Sequence, residues 1–260
     1  MPKASVNGID LYYESRGQGP AIVFAHGAGG NHQSWWQQVP AFSKEYQCVT
    51  FDHRGWGSSM ETPNGPGRGA FVEDLKQLLE HLGIEKTFLV SQSMGGRTCL
   101  GFALAYPQRT LGLVLGDTIG GAGDPELADA IKNVGPSPEG LGRTLSRGFI
   151  QGEPEKTFLY EEIGAMNPPR QDGGAAAPTG MAAGLPSLGI PTLLVVGEDD
   201  ALVPPDLMRA LHGLIPDSSL EVVAGAAHST HFEQPEVFNR LVSEFFAKVL
   251  SIQVAGAPAD

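Results

Sequence analysis

Six short apolar runs, each ending at a glycine or serine, constrain what this chain can fold into more than any other feature. They are AIVFAHG (Ala21–Gly27), CVTFDHRG (Cys48–Gly55), TFLVSQS (Thr87–Ser93), LGLVLG (Leu111–Gly116), TLLVVG (Thr192–Gly197) and LEVVAG (Leu220–Gly225). A nearly continuous apolar run leaves no face for water, so these read as strands covered on both sides, as in a parallel sheet. Helical patterns lie between them. Phe71, Val72, Leu75, Leu78, Leu79 and Leu82 recur at helical spacing and stop at Gly83. A second helix opens near Met94 and ends before Pro107, and Pro205–Leu214 and Pro235–Leu250 each carry proline near their start, where its missing N–H does no harm. The segment SVNGIDLYYES reads as an antiparallel hairpin turning at Asn7-Gly8. The alternation predicts an α/β fold: a doubly wound, mostly parallel sheet of about eight strands.

One stretch breaks the alternation. Asp117–Ser187 holds no strand-like run, but Leu145, Phe149, Phe158, Leu159, Tyr160, Ile163 and Met166 give it apolar faces that a linker does not need. The expected organisation is therefore a core over 1–116 and 188–252 and an inserted, mainly helical cap over 117–187. The cap has a mobile middle (PPRQDGGAAAPTG), and the tail over 253–260 is flexible.

Charge and cysteine content narrow the function classes. With 17 Lys+Arg against 29 Asp+Glu, the net charge of −12 opposes phosphate backbones and anionic membranes alike. No apolar run approaches the roughly 18 residues of a spanning helix. Met1–Leu11 has one lysine and no apolar core of a signal peptide. Cys48 and Cys99 lie inside apolar segments and read as buried free thiols in a reducing compartment, so a cytoplasmic protein is expected.

The strand ends carry the chemistry. Ser91-Gln92-Ser93-Met94-Gly95-Gly96 joins a strand to a helix, and a nucleophile on such a sharp turn needs small residues two positions either side. Gly95 meets that need, and Ser91 stands where glycine is usual. His26-Gly27-Ala28-Gly29-Gly30 follows an earlier strand; its backbone N–H at Ala28, with that of Met94, can form a two-donor oxyanion hole. It fits no phosphate-loop pattern. Asp199 and Asp200 follow a later strand, and His228 and His231 lie between the last strand and the last helix. Two histidines without a third ligand make no metal signature. The order Ser93, Asp200, His228, each directly after a strand, is that of a Ser-Asp-His triad.

These segments together resemble the α/β-hydrolase fold family over the whole chain, with 117–187 matching the variable lid. HGAGG resembles the family's oxyanion loop, and Asp52–Ser59 (DHRGWGSS) its D-x-R-G-x-G-x-S turn. SQSMGG resembles the nucleophile elbow and GEDDALVP the acid loop, whose fourth residue makes Asp200, not Asp199, the acid. AAHSTHFEQPE resembles the G-H…E-x-P histidine loop, with Ala227 for glycine. The resemblance implies nucleophilic hydrolysis without metal or organic cofactor but does not fix the substrate; a small to medium carboxylic ester or lactone is the leading expectation. Carbon–carbon bond hydrolysis, cofactor-free haloperoxidase chemistry and a ligand receptor on the same fold stay open. Candidate pocket residues are His26, Trp35, Trp36, Phe149, Phe158, Tyr160, Met166 and His231.

Overall fold

The computed structural model describes residues 2–122, 127–169 and 181–255. Its strands are β1 (Lys3–Val6), β2 (Ile9–Arg16), β3 (Ala21–Ala25), β4 (Gln47–Phe51), β5 (Thr87–Gln92), β6 (Thr110–Gly116), β7 (Thr192–Gly197) and β8 (Ser218–Val223). They form one 8-stranded sheet in the order β1-β2-β4-β3-β5-β6-β7-β8. The β1–β2 and β2–β4 pairs are antiparallel and all others parallel. The hairpin turns where expected: Asn7 at φ 45° and Gly8 at φ 81° supply the two left-handed residues of a primed two-residue turn.

The helices are α1 (Gln38–Phe42), α2 (Phe71–His81), α3 (Gly95–Ala105), α4 (Ala128–Lys132), α5 (Arg147–Gly152), α6 (Pro154–Ala165), α7 (Pro205–Leu214), α8 (Thr230–Glu233) and α9 (Pro235–Ala255). Successive strand residues point to opposite faces. Val23, Leu89, Leu113 and Leu194 therefore enter the layer of Leu75, Leu79, Phe102, Met208 and Leu211. Ile22, Phe88, Val114 and Val195 meet Phe42, Phe238, Val242 and Phe246 on the other side. Both faces are dry, which is why the strands carry so few polar gaps. The strand order reverses at β3, whose two neighbours are β4 and β5, and a ligand crevice is expected beyond the carboxyl ends of the strands at such a switch point.

Three expectations shift. β8 is an edge strand; Glu221 and Val222 are exposed, so LEVVAG is not covered on both faces, and the strand begins at Ser218. Helix α9 runs to Ala255, so the tail expected from Gln253 starts helical, while 256–260 lie outside the described residues. The segment between β6 and β7 carries α4, α5 and α6, but Leu127, Ala182, Leu185 and Leu188 pack into the main core. The insertion is thus narrower than 117–187. Most of its expected mobile middle, 170–180, lies outside the described residues. Among the described residues no helix is long and apolar enough to cross a membrane.

Candidate active site

Ser93 sits between β5 and α3 with φ 49°, a left-handed backbone that a non-glycine residue adopts at a cost of about 1–3 kcal/mol. Its surroundings hold it there. The Ser93 N–H donates to Gly116 O at 3.0 Å, and Thr118 Oγ1 donates to Ser93 O at 2.7 Å. A side chain on Gly95 would collide with the Ala25 carbonyl oxygen. Ser91 fills the other small-residue position, and its hydroxyl donates to Val114 O at 2.9 Å.

His228 Nε2 lies 2.8 Å from Ser93 Oγ, and its Nδ1 lies 2.8 Å from Asp200 Oδ2. The other Asp200 oxygen accepts from Leu202 N at 2.8 Å and Val203 N at 2.9 Å, so the acid is held by its own loop. Asp200 and His228 are buried, whereas Asp199 is exposed. Burial pulls the His228 pKa down, but the Asp200 hydrogen bond and charge, aided by Asp117, outweigh it and raise the pKa. An imidazole in this setting accepts a proton from a hydroxyl and is supported once charged.

The loop after β3 passes over Ser93, where a Cβ on Gly27 would stand 3.2 Å from Ser93 Cβ. Ala28 is the next residue of that loop. Met94 is the N-cap of α3, directly after Ser93. The loop is braced from behind. Trp56 Nε1 donates to Ala28 O at 2.9 Å, and Asp52 accepts from His32 N, His32 Nδ1 and Ser58 N. Arg54 forks onto Asp74 through Nε and Nη2, at 2.6 Å each. The DHRGWGSS turn therefore supports the loop after β3.

Of the candidate pocket residues, Tyr160 reaches the residue after His228, its hydroxyl 3.0 Å from Ser229 Oγ. Phe149 is buried in a small cluster with Leu145, Ile163 and Phe232. The others need correction. His26 is fully buried behind the loop: Nδ1 lies 2.7 Å from Gly27 O, and Nε2 accepts from His53 N at 3.1 Å. Trp35 and His231 are core residues, with ring centroids 4.6 Å apart and Phe238 beside them. Thus His228 and His231 do not converge on one point. Trp36 is half exposed against Phe232. Phe158 is 63% exposed, because Thr157, Tyr160 and Ile163, spaced by three, form the inward face of α6, and Met166, just past the end of that helix, is 49% exposed. A groove of about 610 Å³ is walled by Trp36, Val39, Pro40, Leu159 and Ile163, and no triad residue lines it.

Two side chains at the site were not singled out in the sequence. Gln92 Nε2 donates to His228 O at 2.6 Å. Asp117, at the end of β6 with φ 51°, is buried and accepts from Gly197 N, Thr230 N and Thr230 Oγ1. Its place directly after a parallel strand, in LGLVLGD, was the available signal.

Contacts from the insertion close over this end of the sheet. Asn31 Nδ2 donates to Ile163 O at 2.8 Å; Asn167 accepts from Gly57 N at 3.0 Å and donates to Gly30 O at 3.1 Å. Glu233, the glutamate of the histidine loop, accepts from both Ala227 N and Ser146 N.

The alpha/beta hydrolase fold model matches residues 20–152 and 167–235. The chain belongs to that family. Among solved structures, a thermophilic esterase from Thermogutta terrifontis is 31% identical with TM-score 0.81, covering 95% of this chain and 98% of that one. An N-acyl homoserine lactone degrading enzyme is 27% identical with TM-score 0.78, covering 94% and 100%. A 2-hydroxy-6-oxononadienedioate/2-hydroxy-6-oxononatrienedioate hydrolase of a Pseudomonas species is 29% identical, covering 95% of each chain. The α/β-hydrolase relatives thus span esters, lactones and a third hydrolase class.

Proposed function

We propose that this α/β hydrolase is a serine hydrolase that cleaves small to medium carboxylic esters or lactones through an acyl-enzyme. The observation that carries the reading is the relay of Ser93 Oγ, His228 and Asp200, two contacts of 2.8 Å each, on a left-handed elbow. His228 Nε2 takes the Ser93 proton as Oγ attacks the acyl carbon, and Asp200 holds the imidazole tautomer and supports the imidazolium. The N–H groups of Ala28 and Met94 donate to the oxyanion. The imidazolium then protonates the leaving alkoxide, and His228 activates a water that releases the acid. Bonds from Asn31, Asn167 and Glu233 hold the insertion down as a cap, which keeps the substrate small. The similarity to an esterase and to a lactone-degrading enzyme supports the ester and lactone classes.

The test is a panel of nitrophenyl esters, small lactones and a vinylogous diketone, run with wild type and Ser93→Ala. Ester or lactone turnover that vanishes in Ser93→Ala supports the reading. A diketone cleaved much faster than any ester would replace it with carbon–carbon bond hydrolysis, and turnover surviving in Ser93→Ala would remove the serine from the mechanism.

A further inference from the structure

The carboxylate of Asp117 has no part in the relay, yet it touches both loops that build it. Its Oδ1 accepts from Gly197 N at 3.1 Å, at the mouth of the acid loop, and from Thr230 Oγ1 at 2.7 Å. Its Oδ2 accepts from Thr230 N at 2.9 Å, two residues beyond His228. The flanking residues reach the nucleophile: Gly116 O receives the Ser93 N–H, and Thr118 Oγ1 donates to Ser93 O. The segment 116–118 is therefore a junction from which the serine, the acid loop and the histidine loop are all fixed. Its left-handed backbone at Asp117 turns the side chain back toward that junction.

A buried carboxylate needs such donors, and three are present. It also acts at a distance. Burial and the charge of Asp200 push Asp117 up to about 7, and Asp117 in turn helps to raise His228. The groups that face this unit are Asp200 from the loop after β7, Arg143 from the segment before α5 and His231 from the same loop as His228. Tyr160 of α6 feels both Asp117 and Glu233. Asp117 bonds to the backbone of both loops, and its charge helps to raise the His228 pKa.

We propose that Asp117 is a positioning residue of this site: its carboxylate locks the His228 and Asp200 loops together, and its negative charge supports the imidazolium formed when Ser93 is deprotonated. This rests on the triad reading above. The proton that His228 takes up on acidification is held in part by the Asp117 charge. Removing one negative charge weakens the uptake of that proton. The acid limb of kcat/KM then moves to lower pH.

The experiment compares full-length wild type, Asp117→Asn and Thr230→Val on a short nitrophenyl ester across about pH 5 to 9, with NMR titration of the His228 imidazole in the resting proteins. Asparagine tolerates the left-handed backbone at 117. Asp117→Asn is expected to lose about tenfold in kcat with KM little changed, and to lower both the acid limb and the His228 pKa by about one unit. Thr230→Val keeps the charge and loses one bond, so kcat falls while the limb and the imidazole pKa stay in place. An unmoved limb and imidazole pKa in Asp117→Asn, whatever the loss in kcat, would overturn the proposal, as would an equal shift in Thr230→Val. If Asp117→Asn does not fold, Asp117→Ser is read in its place by the same criteria. Turnover surviving in Ser93→Ala would sink the triad reading separately, because the NMR arm uses no substrate.

Discussion

His231 offers a quantitative test of how this fold handles acid. The side chain is 3% exposed, stacks on Trp35, and its Nδ1 has no hydrogen-bond partner. Burial, reinforced by the charge of His228, pushes its pKa down to about 3, and burial pushes His26 down to about 4. Each has a folded pKa below its unfolded value of about 6.5, so the unfolded chain binds more protons in between, and stability falls as pH drops through that window. Between about pH 7.5 and about pH 5, each of these two histidines removes roughly 2 kcal/mol of stability. His53, pushed well below its ordinary value by burial, acts in the same direction. Asp117 opposes them: its folded pKa is raised, so the folded chain gains a proton first and recovers stability over the same interval. The net slope mixes these contributions, but a difference between variants does not. Leucine at 231 removes one titrating group and sacrifices no Nδ1 hydrogen bond. Urea unfolding of wild type and His231→Leu at both pH values should show the acid-induced loss smaller by about 2 kcal/mol in the variant, with the Asp117 contribution cancelling. If the loss is the same in both proteins, the histidine is not held neutral by burial and the reasoning fails.

Other expectations follow from the same geometry. Asp200→Asn should lower kcat by about 10⁴-fold, since His228 is then held in the wrong tautomer, whereas Asp199→Asn, at an exposed position, should stay near wild type; comparable losses in the two kinetic assays would leave the acid unassigned. Ser91→Gly should retain activity and lose about 1 kcal/mol in denaturant melts, the worth of one buried hydrogen bond, while Gly95→Ala should fold poorly because its methyl meets the Ala25 carbonyl; an active, stable Gly95→Ala protein would refute this account of the elbow. Rates on a nitrophenyl-ester series from acetyl to palmitoyl should fall at long chains with no jump at the micelle threshold, because Asn31 and Asn167 bond the insertion to the core. A rate rising to palmitoyl, or emulsified triolein cleaved on contact with the interface, would mean that those bonds open as a lid.

The sheet was legible in the sequence, and the residues of the proposed relay could be picked out there, because their causes are local. A parallel strand dry on both faces must be apolar along its length, and a reversal after it must use glycine or another small residue, so strand and site loop leave one contiguous trace. Ser93, Asp200 and His228 each stand just beyond such a trace, and the sheet places them beyond the carboxyl ends of β5, β7 and β8. The pocket assignments had no such local cause. An aromatic residue on α6 marks an apolar helix but not its phase; Tyr160 faces Ser229 while Phe158, two residues earlier and about 200° away around the helix, faces water. His26 and His231 failed for a related reason. A histidine beside a catalytic motif can serve the chemistry or fill the layer behind it, and only the packing of Trp35, Phe238 and His53 separates the two roles.

Asp117 marks the boundary between these two kinds of information. Its position was readable, as an acid directly after a strand, but its partners come from 80 and 113 residues further along the chain. A carboxylate at a strand end is ordinarily solvated, and nothing in the segment Gly116-Asp117-Thr118 says otherwise until β7 and the histidine loop close around it. The relay itself is three side chains on three loops, and loops are the mobile parts of a domain. What makes the relay precise is the layer beneath it: Gln92 on the His228 carbonyl, Glu233 on the Ala227 amide, Thr118 on the Ser93 carbonyl, and Asp117 on two loops at once. All four supports are side-chain to backbone bonds, so they fix where a loop runs rather than which catalytic side chain it carries. The same support can therefore hold different chemistry, and in the proposed mechanism the pH range of activity is set below the relay, at Asp117.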